Sequence, residues 1–142
     1  MPEPTWMAAA RKELGQHEAV GAAHNPRIVA YHQATSLHAR DDETPWCSAF
    51  ANWCMEQAGI NGTGRANARS WLTWGAPLKA PRSGCVVVFS RPPSPTDGHV
   101  AFYVSDYDDR VLVLGGNQGD AVNVAAYPKS RVLAYRWPNA EV

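Results

Sequence analysis

The strongest constraint on the fold of this chain is the order of its two kinds of periodic segment. Helical patterns occupy the first half of the 142 residues, and strand patterns follow from Gly84 onward. The strand segments are separated by turn-rich stretches, and they read CVVVF, HVAFYV, VLVLG, AVNVAAY and RVLAYRW. Because helices and strands are grouped rather than alternating, the βαβ crossovers of a parallel sheet are excluded. The sequence predicts one α+β domain over residues 1–142, with a mostly antiparallel sheet of five to six strands.

The helical half contains a central segment that is predicted to be buried. Residues 46–58 are apolar nearly all round, and their few polar positions recur every four residues as one narrow stripe. Thr44 is the expected N-cap, Pro45 the first helical residue, and Gly59 the C-terminal stop. We expect this helix to pack on the sheet.

Two shorter helices are predicted before it. The first covers residues 6–14 and is predicted to bury one face, which comprises Met7, Ala10 and Leu14. The second begins at Asn25 and Pro26, a side-chain acceptor followed by a ring that suits the first helical turn. N-terminal helices are therefore expected to accompany the buried helix on the sheet.

Charge and segment composition exclude several classes of function. The chain has 13 basic and 13 acidic residues, so it carries no overall field that would gather nucleic acid or an anionic membrane. Charged residues stand where a signal peptide would have its apolar core, and no apolar run reaches membrane-spanning length. We therefore expect synthesis in the cytoplasm without a signal peptide, no nucleic-acid partner and no membrane insertion.

Cys47 is the candidate nucleophile among the three cysteines. At the predicted helix start it would be the third helical residue, where free backbone N–H groups and the helix dipole stabilise a thiolate and lower the thiol pKa. The alternative is that Cys47 is a small buried apolar residue. Cys54 and Cys85, deep in the helix and at a strand start, are predicted to be packing residues. The number and spacing of the three cysteines fit no disulfide framework, and Cys47 and Cys54 are expected to be reduced.

His99 is the candidate base, because it alone of the five histidines stands at the start of a convincing strand. A hairpin that pairs Ser105 with Val111 would place Asn117 opposite His99 on the same face of the sheet. The side-chain oxygen of Asn117 could then accept one imidazole N–H and leave the other nitrogen free for Cys47. The alternatives are a structural histidine and a turn asparagine.

The remaining residues carry no pattern typical of a metal site or a nucleotide site. A zinc site lacks HExxH or CxxC spacing, and GGNQG lacks the order of a dinucleotide loop, so no metal and no nucleotide cofactor are predicted. The other four histidines are predicted to lie on the surface: His17, His24, His32 and His38. Three tryptophans are predicted to line a substrate-binding groove, with burial in the core as the alternative. They are Trp46, Trp71 and Trp74.

Three segments give the chain a family likeness. They are DDETPWCSAFANWC around Cys47, GHVAFYV around His99, and VLGGNQGD after it. Together they resemble the CHAP and NlpC-type group of papain-like peptidoglycan amidases and endopeptidases, and in particular a compact single-domain branch found in phages and bacteria. The N-terminal and C-terminal motifs of that branch correspond to residues 6–18 and 135–138. The likeness therefore covers almost the whole chain.

The resemblance implies a papain-like, NlpC-like α+β fold in which the catalytic helix packs on the sheet. It implies Cys47 as nucleophile, His99 as general base and Asn117 as the third polar residue, and it implies no metal and no cofactor. Gln118 is the alternative third residue, because this position varies between branches, and it is otherwise expected to contact substrate. One departure is Cys85, where many relatives have Gly-Asp before the strand.

The function that the resemblance implies is hydrolysis of an amide bond in bacterial peptidoglycan, either in the peptide stem or at the muramoyl-alanine linkage. We expect a monomeric phage endolysin-type enzyme that reaches the periplasm and cell wall after release through a holin. Three alternatives stay open. They are an injected antibacterial amidase effector with an immunity protein as partner, a non-catalytic cell-wall-binding module, and a protease or acyltransferase that acts on a protein.

Overall fold

The computed structural model describes residues 3–19, 24–37, 39 and 45–139. It contains three α-helices, α1 (Thr5–Lys12), α2 (Pro26–His32) and α3 (Cys47–Gln57). Two 3-10 segments are present, Ala68–Thr73 and Lys129–Arg131. The six strands are β1 (Ala76–Pro77), β2 (Val86–Arg91), β3 (Ser94–Tyr107), β4 (Arg110–Gly115), β5 (Asn123–Pro128) and β6 (Val132–Trp137). Within these described ranges no helix has the length and apolar character that crossing a bilayer requires.

All six strands form one sheet with the order β1-β6-β2-β3-β4-β5, and each neighbouring pair is antiparallel. The central strands are apolar on both faces, because Val86, Val87, Val88 and Phe89 of β2 are all fully buried. The predicted α+β class with an antiparallel sheet is confirmed.

Helix α1 is shorter than predicted, and this changes its buried face. Met7 and Ala10 are fully buried as expected, but Leu14 is 45% exposed. The helix ends at Lys12, so the helical spacing no longer determines which side Leu14 faces. Glu13 turns inward instead, where it accepts a hydrogen bond of 2.7 Å from the Tyr31 hydroxyl.

Helix α2 begins as predicted, with Pro26 as its first residue and the Asn25 side chain accepting a 2.8 Å hydrogen bond from the Arg27 N–H. The prediction that His32 lies on the surface is wrong. His32 follows Ile28 at helical spacing on the buried face of α2 and is fully buried. His17 and His24 are exposed as predicted, and His38 lies outside the described residues.

Helix α3 is the buried helix that the sequence predicts, with eight of its eleven residues buried. It lies on β3 and also contacts α1 and α2. Its start differs from the prediction, because Cys47 is the first helical residue and Trp46 the N-cap. Thr44, the predicted cap, lies outside the described residues. Cys47 therefore stands at the very beginning of the helix rather than at its third position.

The β3–β4 hairpin contains a bulge that the predicted register lacks. Ser105 faces Leu112, so the predicted pairing of Ser105 with Val111 is wrong. The register shifts at Val104, and Tyr103 then faces Val113. Beyond the bulge the ladder follows the spacing that was predicted to bring His99 and Asn117 together, but β4 ends at Gly115 before that pair is reached.

Candidate active site

Cys47 lies at the wall of a cavity of about 250 Å³ between the start of α3 and the exposed first part of β3. Burial raises the pKa of its thiol, and this outweighs the lowering by the backbone N–H of Val100, the charge of Arg91 and the N–H groups at the helix start. The direction is opposite to the lowered pKa expected from the helix start alone. The resting thiol therefore carries its proton at neutral pH and needs a base to remove it.

Cys54 and Cys85 have no such position. Both are free cysteines without exposed surface. Burial raises the pKa of Cys54 well above its ordinary value and that of Cys85 to about 11. Both residues pack in the core, as the sequence predicts.

His99 is buried between aromatic rings at the end of the sheet nearest Cys47. Its ring centroid lies 5.1 Å from that of Tyr127 and 5.9 Å from that of Phe89. Burial lowers the pKa of His99 to about 4, although the hydrogen bond that His99 donates to Gln118 acts in the opposite direction. The imidazole is therefore neutral at neutral pH and is able to accept a proton.

The contacts of Gln118 determine which imidazole nitrogen is free. Its Nε2 donates to the Asn123 carbonyl oxygen at 2.8 Å and to Asn123 Oδ1 at 3.0 Å. Its Oε1 therefore faces His99, where it lies 2.8 Å from Nε2. An amide oxygen only accepts, so His99 Nε2 carries the proton. The buried Nδ1 has no hydrogen-bond partner among the described residues and keeps its lone pair.

Several contacts place the cysteine and the histidine at one end of the sheet. The backbone N–H of Val100, the residue after His99, reaches the Cys47 sulfur. Gly98, the residue before His99, lines the same cavity as Cys47. Tyr127 packs on the His99 ring. Burial raises the pKa of Tyr127, and an ionised Cys47 nearby would add to this effect. The predicted nucleophile and base are thus brought together.

Asn117 is not the hydrogen-bond partner that the predicted register makes it. It adopts a left-handed backbone with φ of 57° and lines the Cys47 cavity. The chain turns at Gly115, where a Cβ would stand 2.7 Å from the Ala101 Cβ and 2.9 Å from Gln118 Oε1. Because glycine allows this close approach, the side chain of Gln118 passes beneath the turn to His99. Gln118, the alternative from the sequence, occupies the position expected of Asn117.

The three tryptophans predicted to line a substrate-binding groove do not line one together, although Trp71 and Trp74 are in contact with ring centroids 4.8 Å apart. Trp46 and Trp71 are fully buried, and their indole N–H groups donate to Glu18 Oε2 and Ser48 Oγ, each at 2.9 Å. The prediction that these two line a groove is wrong, because the large apolar rings are used in the core. Trp74 is half-buried and lines a second cavity of about 410 Å³, apart from the one that Cys47 lines.

Four residues of this region were not singled out from the sequence. Asn123 sets the orientation of Gln118, Tyr127 packs on His99, and Arg91 and Asp97 line the Cys47 cavity. The two charged residues lie in a turn-rich segment, where charge ordinarily indicates only a solvated loop. An amide at position 123, within an otherwise apolar strand segment and half-buried in the structure, is the one local signal that could have indicated a polar contact.

Comparisons with known proteins identify a family and a related fold. The CHAP domain family matches residues 39–117, which is more than half of the chain and includes Cys47 and His99. A solved structure from Staphylococcus aureus subsp. aureus Mu50, described as similar to lipoprotein, NLP/P60 family, is 20% identical with a TM-score of 0.54. The match covers 93% of this chain but only 40% of that chain. No curated protein matches the sequence.

The structural likeness supports the papain-like α+β fold that the sequence motifs imply. The family match covers the helix that begins at Cys47 and the strand that carries His99, and it ends at Asn117, just after β4. The chain therefore belongs to the CHAP domain family, a peptidoglycan-related family whose members are usually peptidases or amidases.

Proposed function

We propose that this protein is a cysteine peptidase or amidase that hydrolyses an amide bond of bacterial peptidoglycan, in the stem peptide or at the muramoyl-alanine linkage. The observation that carries the proposal is the neutral His99 imidazole, whose free Nδ1 lone pair lies at the same end of the sheet as the buried thiol of Cys47. A protonated thiol and an unprotonated base are the two groups that nucleophilic catalysis by cysteine requires.

In the proposed first step the Cys47 sulfur attacks the amide carbonyl carbon while His99 Nδ1 takes the thiol proton. The negative charge that develops on the carbonyl oxygen is held by backbone donors at the start of α3, among them the N–H of Cys47. Collapse of the tetrahedral intermediate breaks the C–N bond, and Nδ1–H gives its proton to the leaving amine. A thioester on Cys47 and a free amine result.

In the second step water attacks the thioester carbon while the same imidazole nitrogen accepts its proton. The C–S bond breaks, the sulfur regains the proton from Nδ1, and a carboxylic acid leaves. Gln118 keeps the other nitrogen protonated throughout, because its amide oxygen is held in place by Asn123. Each group of the site thereby returns to its starting protonation state.

We further propose that the enzyme is a lytic endolysin-type hydrolase that meets peptidoglycan in the periplasm. An injected antibacterial effector, which would have an immunity protein as partner, is the second candidate for the same chemistry. The two differ in delivery and not in the reaction. Holin-dependent lysis of the producing cell would favour the first, and growth inhibition of neighbouring cells without lysis of the producer would favour the second.

The experiment that tests the proposed chemistry is digestion of purified sacculi, followed by mass spectrometry of the soluble products. We expect fragments that each gain one water and carry a new carboxyl terminus, and their masses identify the bond. Binding to sacculi without any released fragment would instead favour a wall-binding module. Cleavage of proteins but not of sacculi would favour a protease.

A further inference from the structure

Arg91 and Asp97 carry opposite charges at the wall of the Cys47 cavity, and both are exposed. No ion pair within 4.0 Å joins them, and in the part of the chain that the structure describes neither has another ionic partner. Oppositely charged neighbours on a flexible surface usually approach each other when their geometry allows it. Here the two charges stay apart beside the candidate nucleophile.

The backbone that carries these two side chains is restrained by hydrogen bonds. The Asp97 N–H donates to Ser94 Oγ at 3.0 Å, and Arg69 Nε donates to the Asp97 carbonyl oxygen at 2.8 Å. Arg91 Nε lies 3.4 Å from the Gly98 carbonyl oxygen, and its two terminal nitrogens have no hydrogen-bond partner within the described ranges. The carboxylate of Asp97 and the outer edge of the Arg91 guanidinium are therefore available to a ligand.

The separation of the two charges indicates what that ligand would carry. A guanidinium binds a carboxylate through two parallel N–H donors, and a carboxylate binds an ammonium. A neutral peptide in this cavity would remove water from both charges and replace it with nothing, which is costly. A ligand that carries both an ammonium and a carboxylate would satisfy both side chains at once.

We propose that Arg91 and Asp97 form a substrate subsite for a stem-peptide segment that bears a carboxylate and an ammonium, with Arg91 binding the carboxylate and Asp97 the ammonium. This inference rests on the proposed function. Stem peptides offer this chemistry in two places. One is the far end of a meso-diaminopimelate residue, where one carbon bears both groups, and the other is a free N-terminal alanine followed by the α-carboxylate of glutamate.

The test measures the affinity of the full chain for uncleaved synthetic stem peptides, using Cys47→Ala to prevent turnover. Four peptides separate the two sources. They are a meso-diaminopimelate stem, the same stem amidated at the far carboxylate, a lysine stem that lacks this carboxylate, and the meso-diaminopimelate stem acetylated at its N-terminal alanine. If the far end is the ligand, amidation and lysine each weaken binding by about tenfold, whereas N-acetylation has little effect. If the N-terminal end is the ligand, N-acetylation alone weakens binding by about that factor.

Variants assign the two charges. If the far end is the ligand, Arg91→Gln on the Cys47→Ala background is expected to lower affinity about tenfold for the meso-diaminopimelate stem and to leave affinity for the amidated stem unchanged. If the N-terminal end is the ligand, Arg91→Gln is expected to lower affinity for all four peptides, because each keeps the α-carboxylate of glutamate. Asp97→Asn is expected to lower affinity for the meso-diaminopimelate stem about tenfold, and if the N-terminal end is the ligand it also removes the preference for the free over the acetylated amine. Arg110→Gln is the matched control. Arg110 is an exposed arginine at the first residue of β4, whereas the turn beside the Cys47 cavity follows the last residue of that strand. The substitution should change the affinity for none of the four peptides.

Two results would overturn the subsite. One is equal affinity for all four peptides. The other is an unchanged affinity of Arg91→Gln for the meso-diaminopimelate stem. A different result would contradict the proposed function. In that result Cys47→Ala binds the peptides in a charge-dependent way, but the wild type cleaves neither these peptides nor sacculi. That outcome would support the subsite while removing the hydrolase.

Discussion

Replacing Gln118 by alanine tests how the protein keeps one nitrogen of His99 available. The substitution removes the acceptor that lies 2.8 Å from Nε2, and His99 is only 1% exposed, so water cannot easily replace it. A buried donor without its partner costs about 1 to 3 kcal/mol. The imidazole can avoid this cost by moving its proton to Nδ1, the nitrogen proposed to accept the thiol proton from Cys47. We therefore expect the reactive tautomer to lose that same stabilisation, which corresponds to roughly a 5- to 150-fold change in its population relative to the other tautomer.

The assay measures the initial rate of fragment release from labelled sacculi, and long-range ¹H–¹⁵N NMR of the imidazole reports its tautomer. We expect Gln118→Ala to lower the rate by about ten- to hundredfold while the NMR signature shifts from Nε2–H toward Nδ1–H. Asn117→Gly is the matched control, because it removes the neighbouring amide and glycine tolerates the φ of 57° without strain. An unchanged tautomer in Gln118→Ala, or a larger loss of rate in Asn117→Gly, would refute the role assigned to Gln118.

Three further predictions follow from burial and packing. Burial lowers the pKa of His99 to about 4 in the fold, so the unfolded chain binds a proton before the folded chain does as the pH falls below about 6.5. The free energy of unfolding, measured by urea denaturation, should therefore drop by roughly 3 kcal/mol between pH 7.5 and 4. The drop should be smaller in His99→Gln. Iodoacetamide should label Cys47 in the native protein, and the labelling should speed up as the pH rises above neutral because burial raises the pKa of its thiol. Cys54 and Cys85 should be labelled only after unfolding. Equal labelling of all three cysteines in the native protein, measured by peptide mass spectrometry, would contradict the assigned burial. Gly116→Ala would place a Cβ 2.7 Å from atoms of α3 and its N-cap, so it should lower the free energy of unfolding by about 1 to 3 kcal/mol, and wild-type stability would contradict this packing.

Much of the fold could be predicted from the sequence because its signals are local. The apolar run of β2 and the helix that is apolar nearly all round indicate which segments are buried, and the grouping of helices before strands excludes a parallel sheet. The start of α2 was equally predictable, since Asn25 and Pro26 act within one turn of the helix. Cys47 was identified because it stands at the start of a helix, and His99 because it begins the buried apolar run of a strand, although β3 itself begins earlier, at Ser94.

The parts that could not be predicted depend on contacts between distant segments. The bulge at Val104 adds one residue to β3, and nothing in the alternation of that strand marks its position. The choice of Gln118 over Asn117 depends on a turn at two glycines that packs closely on Ala101 and on α3, which only the folded chain shows. The positions of Trp46 and Trp71 depend similarly on polar partners, Glu18 and Ser48, that bring their indole N–H groups into the core.

The most direct measurement of the central claim compares wild-type protein and Cys47→Ala on purified sacculi, at equal concentration and with matched circular dichroism and unfolding curves. Cys47 is 7% exposed at the first residue of α3, so the loss of one sulfur should leave the fold intact. The mechanism predicts soluble stem-peptide fragments from the wild type and none from the variant. Equal release of the same fragments by the folded variant would contradict cysteine catalysis by this protein.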